Sequence, residues 1–353
     1  MKQCSHGVLS LQHYSNTFIH SKQLAMSCNG KFSKAMWLSF CLIVGVAVAT
    51  VTAAQERVKF PVGVGTKTLG TGLIWLGTKK GFFEEVGLDV QPILLRGTPV
   101  AVQALVGESL FVAMGSADAM VSAAVSGADL VSVTGVINGL TQAIVAGKKY
   151  KSFKELRGTT VGVQSLASGA TTVFKRILKK NGLDYPGDYK LLAVGGGNFN
   201  LAALTSGQVA AAFLVVPLVF TAEEQGFNVL GYYKDYFPNY QLTVMSVKRG
   251  WAEKNRSLLV RFLKGALRAN RWLFANREAA SDFLAKEIQI SPELARKGWD
   301  YYTANRIWHP NLELNPEGVK VAIEILAEET KLPPQDALKY IDRSFLQQAL
   351  KEL

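Results

Sequence analysis

The chain has 353 residues, 48% of them apolar, enough to bury one large core or two smaller ones. Its formal charge is +12, but residues 1–54 contain four lysines and no acidic residue, so the remainder carries a net +8. No clustered run of Lys and Arg forms a stripe that would track phosphates, and nucleic acid is not an expected partner. All three cysteines (Cys4, Cys28, Cys41) precede Ala54, and of four histidines only His309 follows it. Beyond Ala54 this excludes disulfides and cysteine nucleophiles and leaves little basis for a metal site, a cofactor or histidine catalysis.

At the N-terminus, Lys31 and Lys34 precede an uncharged apolar stretch, Ala35 to Val51, which runs into Thr52-Ala53-Ala54. A basic flank, a short apolar segment and a small-x-small exit describe a secretory signal peptide cleaved after Ala54. An uncleaved anchor is the rival reading, because the stretch falls only slightly short of the roughly 20 residues a membrane span needs. Cys41 follows Phe40 inside the apolar stretch, which is not a lipoprotein arrangement. Met26 would open a signal peptide of ordinary length, and residues 1–54 are expected to form an N-terminal extension plus signal peptide.

The elements that follow alternate. Val58–Val64 is β-branched and reads as a strand, then a Gly/Thr-rich loop leads into a helix closed at Gly87. A strand is expected over Asp89–Leu95, a helix from near Pro99, and a strand over Leu110–Met114 ending at Gly115-Ser116. A β-like run, Leu130–Val136, leads to Ile137-Asn138-Gly139. The series then repeats: strand Thr160–Val163, a Ser/Gly loop, a helix closed at Gly182, strand Lys190–Val194, a helix near Asn200, and strand Val209–Val215 ending at Val216-Pro217. Gly63-Val64 and Gly162-Val163 lie 99 residues apart, as do Ala104-Leu105 and Ala203-Leu204. A shared register across three elements points to an internal duplication of about a hundred residues per copy, a normal domain size. Strands alternating with helices imply parallel, doubly wound sheets with helices on both faces.

From Arg249 onward the chain reads as helical. Ser291-Pro292-Glu293 and Asn315-Pro316-Glu317 are cap-then-proline helix starts, and Leu259, Phe262, Leu263, Ala266 and Leu267 fall at helical spacing. Trp251, Trp272, Trp299, Tyr301 and Trp308 are expected as core anchors. A set of helices without strands is expected to pack back on the first lobe. Lobe 1 is then 55–146 plus 247–353 and lobe 2 is 147–246, joined by crossings near Ala143–Gly147 and Thr243–Val247 that act as a two-strand hinge.

In open parallel sheets, ligands bind beyond the carboxyl ends of strands, where loops meet helix N-termini. Four loops qualify: Thr66-Lys67-Thr68 with Gly70-Thr71-Gly72, Gly115-Ser116-Ala117, Ser165 to Thr171, and Gly195-Gly196-Gly197-Asn198. The run Ser165, Ser168, Gly169, Thr171 offers hydroxyls and unpaired N–H groups suited to an anion, although one such residue would suffice merely to cap a helix. Lys67 would neutralise an anion or else be solvated, and Asn138 would donate an amide or else serve a turn. The three glycines lack the phosphate-loop pattern. Pro217 is expected to shape the loop after its strand and present backbone to the cleft.

The segments LGTKKGFFEEVGLDVQPILLRG, AVQALVGESLFVAMGSADAM, SFKELRGTTVGVQSLASGAT and GGGNFNLAALTSGQVAAAFLVVP resemble the solute-binding proteins of nitrate/sulfonate/taurine-type ABC importers. With the C-terminal helices the resemblance covers residues 57–353. It implies a type II periplasmic-binding-protein-like fold that closes on a small polar or anionic organic solute as a monomer in the periplasm. It also implies docking on an ABC permease in the inner membrane. By position the family's ligand contacts fall on Thr66, Lys67, Thr68, Ser116, Asn138, Ser165, Ser168, Gly169, Asn198 and Pro217. The chain departs from relatives at Gln208-Val209-Ala210-Ala211, where an Asp is frequent, and Thr66–Thr68 matches no substrate-specific pattern. Two other functions fit the fold. One is a ligand-presenting sensor subunit. The other is a synthase of the thiamine pyrimidine precursor, which resembles this chain but depends on cysteines and a histidine that the chain lacks beyond Ala54.

Overall fold

The computed structural model describes residues 57–166, 169–330 and 335–353; the expected signal peptide and Ser168 lie outside the described residues. No helix among the described residues is long and apolar enough to cross a membrane.

The first half forms β1 (Val58–Val64), α1 (Leu73–Lys79), β2 (Leu88–Leu94), α2 (Thr98–Val106), β3 (Val112–Ser116), α3 (Ala117–Val125) and β4 (Leu130–Asn138). The second forms β5 (Gln142–Ala146), β6 (Thr160–Val163), α4 (Gly169–Lys180), β7 (Lys190–Ala193), α5 (Gly197–Thr205), β8 (Ala211–Val215), α6 (Leu218–Glu224), β9 (Asn228–Tyr232) and the short α7 (Tyr233–Tyr236). The offset read from sequence survives in three dimensions, since α5 and β8 begin 99 residues after α2 and β3. One element differs: α1 ends at Lys79, and Gly87 closes a separate 3-10 turn, Glu84–Val86, at φ 73°. Gly81 and Phe82 already donate back to Thr78 and Gly77 as the helix unwinds.

Two five-stranded sheets result, β2-β1-β3-β10-β4 and β7-β6-β8-β5-β9, where β10 is Gln241–Lys248. Four strands of each run in one direction, as alternation requires, but β10 runs antiparallel to β3 and β4, and β5 antiparallel to β8 and β9. The sheets are therefore mixed. The antiparallel strand of each is the one that arrives from the other half of the chain, and it enters against the βαβ direction. The segments expected to carry the crossings, Ala143–Gly147 and Thr243–Val247, lie instead within or at the end of β5 and β10. The chain passes between sheets at Gly139–Thr141 and after Tyr232.

After β10 come α8 (Arg249–Lys254), α9 (Arg256–Ala275), α10 (Arg277–Ile288), α11 (Pro292–Ala304), α12 (Pro316–Thr330) and α13 (Ser344–Lys351). Ser291 caps α11 by accepting from Leu294 N–H at 3.2 Å, with Pro292 at the first helical position. The helical spacing in α9 buries Leu259, Phe262, Leu263, Ala266 and Leu267 completely, and Phe262 stacks on both Phe60 and Phe83 beneath the first sheet. Trp308 is buried, whereas Trp251, Trp272, Trp299 and Tyr301 are partly buried at its margin. One apolar cluster runs from Val62, Met114 and Val133 of the first sheet to Val145 and Leu214 of the second.

A polar clasp fixes the place where the crossings leave the first sheet. Gln241 is fully buried; its Nε2 donates to Asn138 Oδ1 at 2.8 Å, to Ile137 O and to Thr243 O, and its Oε1 accepts from Asn315 N–H at 2.9 Å. Asn138 Nδ2 in turn donates to Glu313 O at 2.8 Å. The last residue before one crossing, the first after the other, and the start of α12 are thus one unit. Gln241→Ala leaves buried donors and acceptors without partners and is expected to lower unfolding free energy by about 2–3 kcal/mol. Urea unfolding checks this, and a loss below about 0.5 kcal/mol would remove the clasp from that role.

Candidate functional site

The carboxyl ends of β1, β3, β6, β7 and β8 carry the candidate loops, and two contacts show the loops of the two sheets meeting. Gly169 at the start of α4 lies so close to Asp118 in the first turn of α3 that a methyl group there would stand 2.5 Å from Asp118 Oδ2. Gly298 of α11 lies against Leu69, after β1, and against Pro217, after β8. The candidate loops of the two sheets therefore face one another, with α11 along one side. A pocket of about 220 Å³ lined by Leu105, Leu110, Phe111 and Trp251 lies at the amino end of β3, away from these loops.

Thr68 caps a 3-10 turn, Leu69–Thr71, and Thr71 Oγ1 accepts from Thr68 N–H at 2.9 Å while donating to Thr66 O at 2.7 Å. These bonds tie the loop to itself within six residues. Ser116 is the N-cap residue of α3, and its N–H donates to Thr98 Oγ1 at 3.1 Å. Thr171 Oγ1 donates to Ser165 O at 2.6 Å, which folds the second-lobe loop back over α4. Asn198 is exposed in the first turn of α5, next to Asn200, which is buried and ties down Gly195 O at 2.9 Å.

Three expected contacts are otherwise engaged. Lys67 Nζ is held by Glu287 Oε1 of α10 at 2.6 Å and stands 4.9 Å from the Trp75 ring centroid. Glu287 also takes Lys79 at 2.5 Å, so one carboxylate joins the β1 loop, α1 and α10. The Asn138 amide is consumed by the clasp, because a strand-end amide next to two carbonyl-rich turns finds protein partners. Pro217 is buried, follows a cis peptide bond and is covered by Gly298 and Leu69, so it forms a wall and does not project.

Several residues at the cleft carried no sequence signal. Asp118 is one. Arg96, exposed between β2 and α2, is another; it has no salt bridge among the described residues. Leu166 and Phe199 are 55% and 68% exposed beside the Ser165 and Gly195 loops. A glycine- and hydroxyl-centred search passes over charged or apolar side chains, and only their exposure distinguishes them.

Helix α11 contacts the second lobe along one face. Lys297 pairs with Glu224 of α6 at 2.5 Å, and Tyr301 lies edge-on to Phe220 and stacked on Tyr232. Its end reaches the first crossing, where Tyr302 hydrogen-bonds Thr141; burial pushes the Tyr302 phenol well above its ordinary range.

The chain belongs to the NMT1/THI5-like family, whose model matches residues 71–280. It is 26% identical over 259 residues to a Brucella abortus chain described as a binding protein, covering 72% of this chain and 78% of that one. Its fold is that of the alkanesulfonate-binding protein SsuA from Xanthomonas axonopodis pv. citri, with a TM-score of 0.65, 18% identity, and 82% and 99% of the two chains covered. The periplasmic aliphatic sulphonate binding protein SsuA of Escherichia coli aligns with a TM-score of 0.63 at 19% identity, covering 79% and 89%. The same fold includes an enzyme, the desulfurization enzyme DSZB, at a TM-score of 0.65 and 14% identity, with 84% and 99% covered. The fold is thus the two-lobed α/β architecture of periplasmic binding proteins with added C-terminal helices.

Two expected outcomes test this geometry. Burial raises the Glu287 pKa, but hydrogen bonds from Lys67 and Lys79 outweigh it and hold the carboxyl below its ordinary value of 4.5. A depressed pKa contributes stability above the unfolded value, and the contribution is lost as pH falls through the folded one. Glu287→Gln should cost roughly 1 kcal/mol at pH 7, with the difference from the parent closing in thermal melts as pH falls below the ordinary carboxylate value and through the depressed one. Separately, Gly298→Val places side-chain atoms into Leu69 and Pro217 and should wedge the lobes apart. Small-angle scattering is expected to show a larger radius of gyration; an unchanged profile would mean α11 does not set lobe separation.

Proposed function

We propose that this protein is the extracytoplasmic substrate-binding component of an ABC importer, capturing a small polar organic solute between its lobes. The observation that supports this most directly is the pairing of two duplicated sheets whose carboxyl-end loops face one another, with the chain crossing between them at two places. Such a clamp works when a ligand binds the closed state better than the open one. The expected bounds, 55–146 with 247–353 and 147–246, shift to the crossings: lobe 1 takes residues 57–138 with 241–353 and lobe 2 residues 142–236, because β5 pairs in the second sheet and β10 in the first, and the short segments beside the Asn138–Gln241 clasp serve as hinge. Family membership and the likeness to periplasmic sulfonate-binding proteins support the reading, as does the signal-peptide pattern ending at Ala54. They point to a periplasmic location and a membrane permease as partner.

Thr66, Thr68, Ser116, Ser165, Ser168, Gly169 and Asn198 are the proposed polar lining, with Leu166 and Phe199 offering apolar surface to the carbon skeleton of the ligand. No catalytic step is proposed. The one histidine after Ala54, His309, spends Nδ1 accepting Asn311 N–H at 3.2 Å in a C-terminal turn, away from the loops.

A thermal-shift panel of alkanesulfonates, nitrate, aminopyrimidines and aromatic carboxylates tests capture. A true ligand at a hundred times its Kd should add about 2.7 kcal/mol, raising Tm by roughly 5 °C or more. No shift, together with no small molecule released on denaturing the purified protein, would overturn the proposal.

A further inference from the structure

The antiparallel strand of each sheet opens on a glutamine, Gln241 in β10 and Gln142 in β5. Their surroundings differ. The Gln241 amide is satisfied at both ends by the clasp. Gln142 is only 7% exposed, yet among the described residues its Oε1 accepts no hydrogen bond and its Nε2 donates none. Buried side-chain polar atoms are nearly always paired, because desolvation without a replacement bond costs free energy. What remains for this amide is a partner from outside the chain. Buried hydroxyls without partners, such as Thr134 within β4 and Ser281 within α10, sit in the middle of their elements, whereas Gln142 sits at the end where the candidate loops are.

Its place follows from the strand register. Gln142 stands opposite Val215, the last residue of β8, and Val215 answers Ser116 at the 99-residue offset of the duplication. It is therefore at the carboxyl end of β8, beside the turn where Val216 N–H donates to Thr141 O at 2.9 Å. Strand alternation puts its side chain on the same face as Ile144, which is opposite Phe213. Phe174 of α4 and Tyr233 pack on that face, and the Tyr233 hydroxyl donates to Ala170 O at 3.5 Å. Gln142 lies two residues nearer the loops than Ile144, and Ala170 lies one helical turn nearer them than Phe174. The amide is thus at the level of the first turn of α4 and the Ser165 loop.

We propose that Gln142 is a ligand-contacting residue of the cleft, its Oε1 accepting from an N–H or O–H group of the captured solute. This rests on the capture reading above and narrows its substrate class to molecules that carry an uncharged hydrogen-bond donor. Carboxamides match best, because an N–H and a carbonyl on one carbon answer both Oε1 and Nε2. Sulfonates, nitrate and carboxylates bring acceptors only, so they leave Oε1 unpaired when the lobes close around them. A site built to hydrogen-bond a donor rejects the analogue lacking it, since the buried group is then left without its partner.

Two measurements test this. The first needs no ligand: thermal melts of extensively dialysed wild type, Gln142→Leu and Gln241→Leu. Replacing an unpaired buried amide with an apolar side chain of similar size should leave Tm unchanged or raise it, whereas Gln241→Leu should lower it. A drop for Gln142→Leu matching that of Gln241→Leu would make the amide structural and overturn the proposal. The second is calorimetric titration of wild type and Gln142→Leu with benzamide and with acetophenone, which differ only in replacing the amide nitrogen by a methyl group. The wild type should prefer benzamide by roughly tenfold or more, and Gln142→Leu should lose that preference. Equal affinity in the wild type, or a preference kept in the variant, would overturn the assignment and leave capture standing. Binding of neither compound by the wild type would also overturn it, and capture would then be judged by its own panel, whose anions can still shift the melt.

Discussion

Each sheet of this protein is completed by an antiparallel strand that the chain brings directly from the other sheet. β10 returns from the second lobe to lie between β3 and β4, and β5 leaves the first lobe to lie between β8 and β9. Neither half can satisfy its central backbone hydrogen bonds alone, because removing the visiting strand would strip donors and acceptors on both sides. Covalent connection and sheet pairing therefore impose the same constraint. The short segments between Asn138 and Gln142 and between Tyr232 and Gln241 carry the chain from one sheet to the other. The buried amide of Gln241 ties the first-sheet ends of both.

The C-terminal helices turn that constraint into a particular cleft. Helix α9 builds the first lobe's core with an aromatic stack from Phe60 through Phe262 to Phe83, while α11 reaches across to Phe220, Tyr232 and Glu224 of the second lobe. Gly298 is small because Leu69 and Pro217 occupy the space on either side, one from each lobe. The same helical set governs the charge of the site. Glu287 takes Lys67 into an ion pair with α10 and so withdraws its charge from the loop after β1. The electrostatics of the loops thus depend on residues more than 150 positions away in sequence.

Much of this was legible in the chain. The register of Gly63-Val64 with Gly162-Val163 foretold two equivalent α/β halves, and the strand over Val58–Val64 and the proline-led helix at Ser291 appear where periodicity and capping put them. Hydroxyl- and glycine-rich segments after strands marked the loops correctly, because local turn chemistry and helix capping act over a few residues. What sequence reading could not reach were partners distant in the chain. Lys67 looked like a loop cation until α10 brought Glu287 to it. Asn138 looked like a cleft donor until Gln241 and Glu313 consumed its amide. Asp118 carried no signal, since one acid in a helix's first turn is ordinary.

The sequence by itself determined the alternation of strands and helices, the duplication, the place of most strands to within a few residues, and the lack of any cysteine beyond Ala54. These follow from hydrophobic period, cap residues and composition, all local quantities. Tertiary structure alone decided which strand enters which sheet, and hence the mixed direction of both. It also decided which polar side chains are used internally. Those outcomes depend on pairings across a hundred or more residues, where Coulomb and hydrogen-bond energies are set by distance in space and not by spacing in the chain.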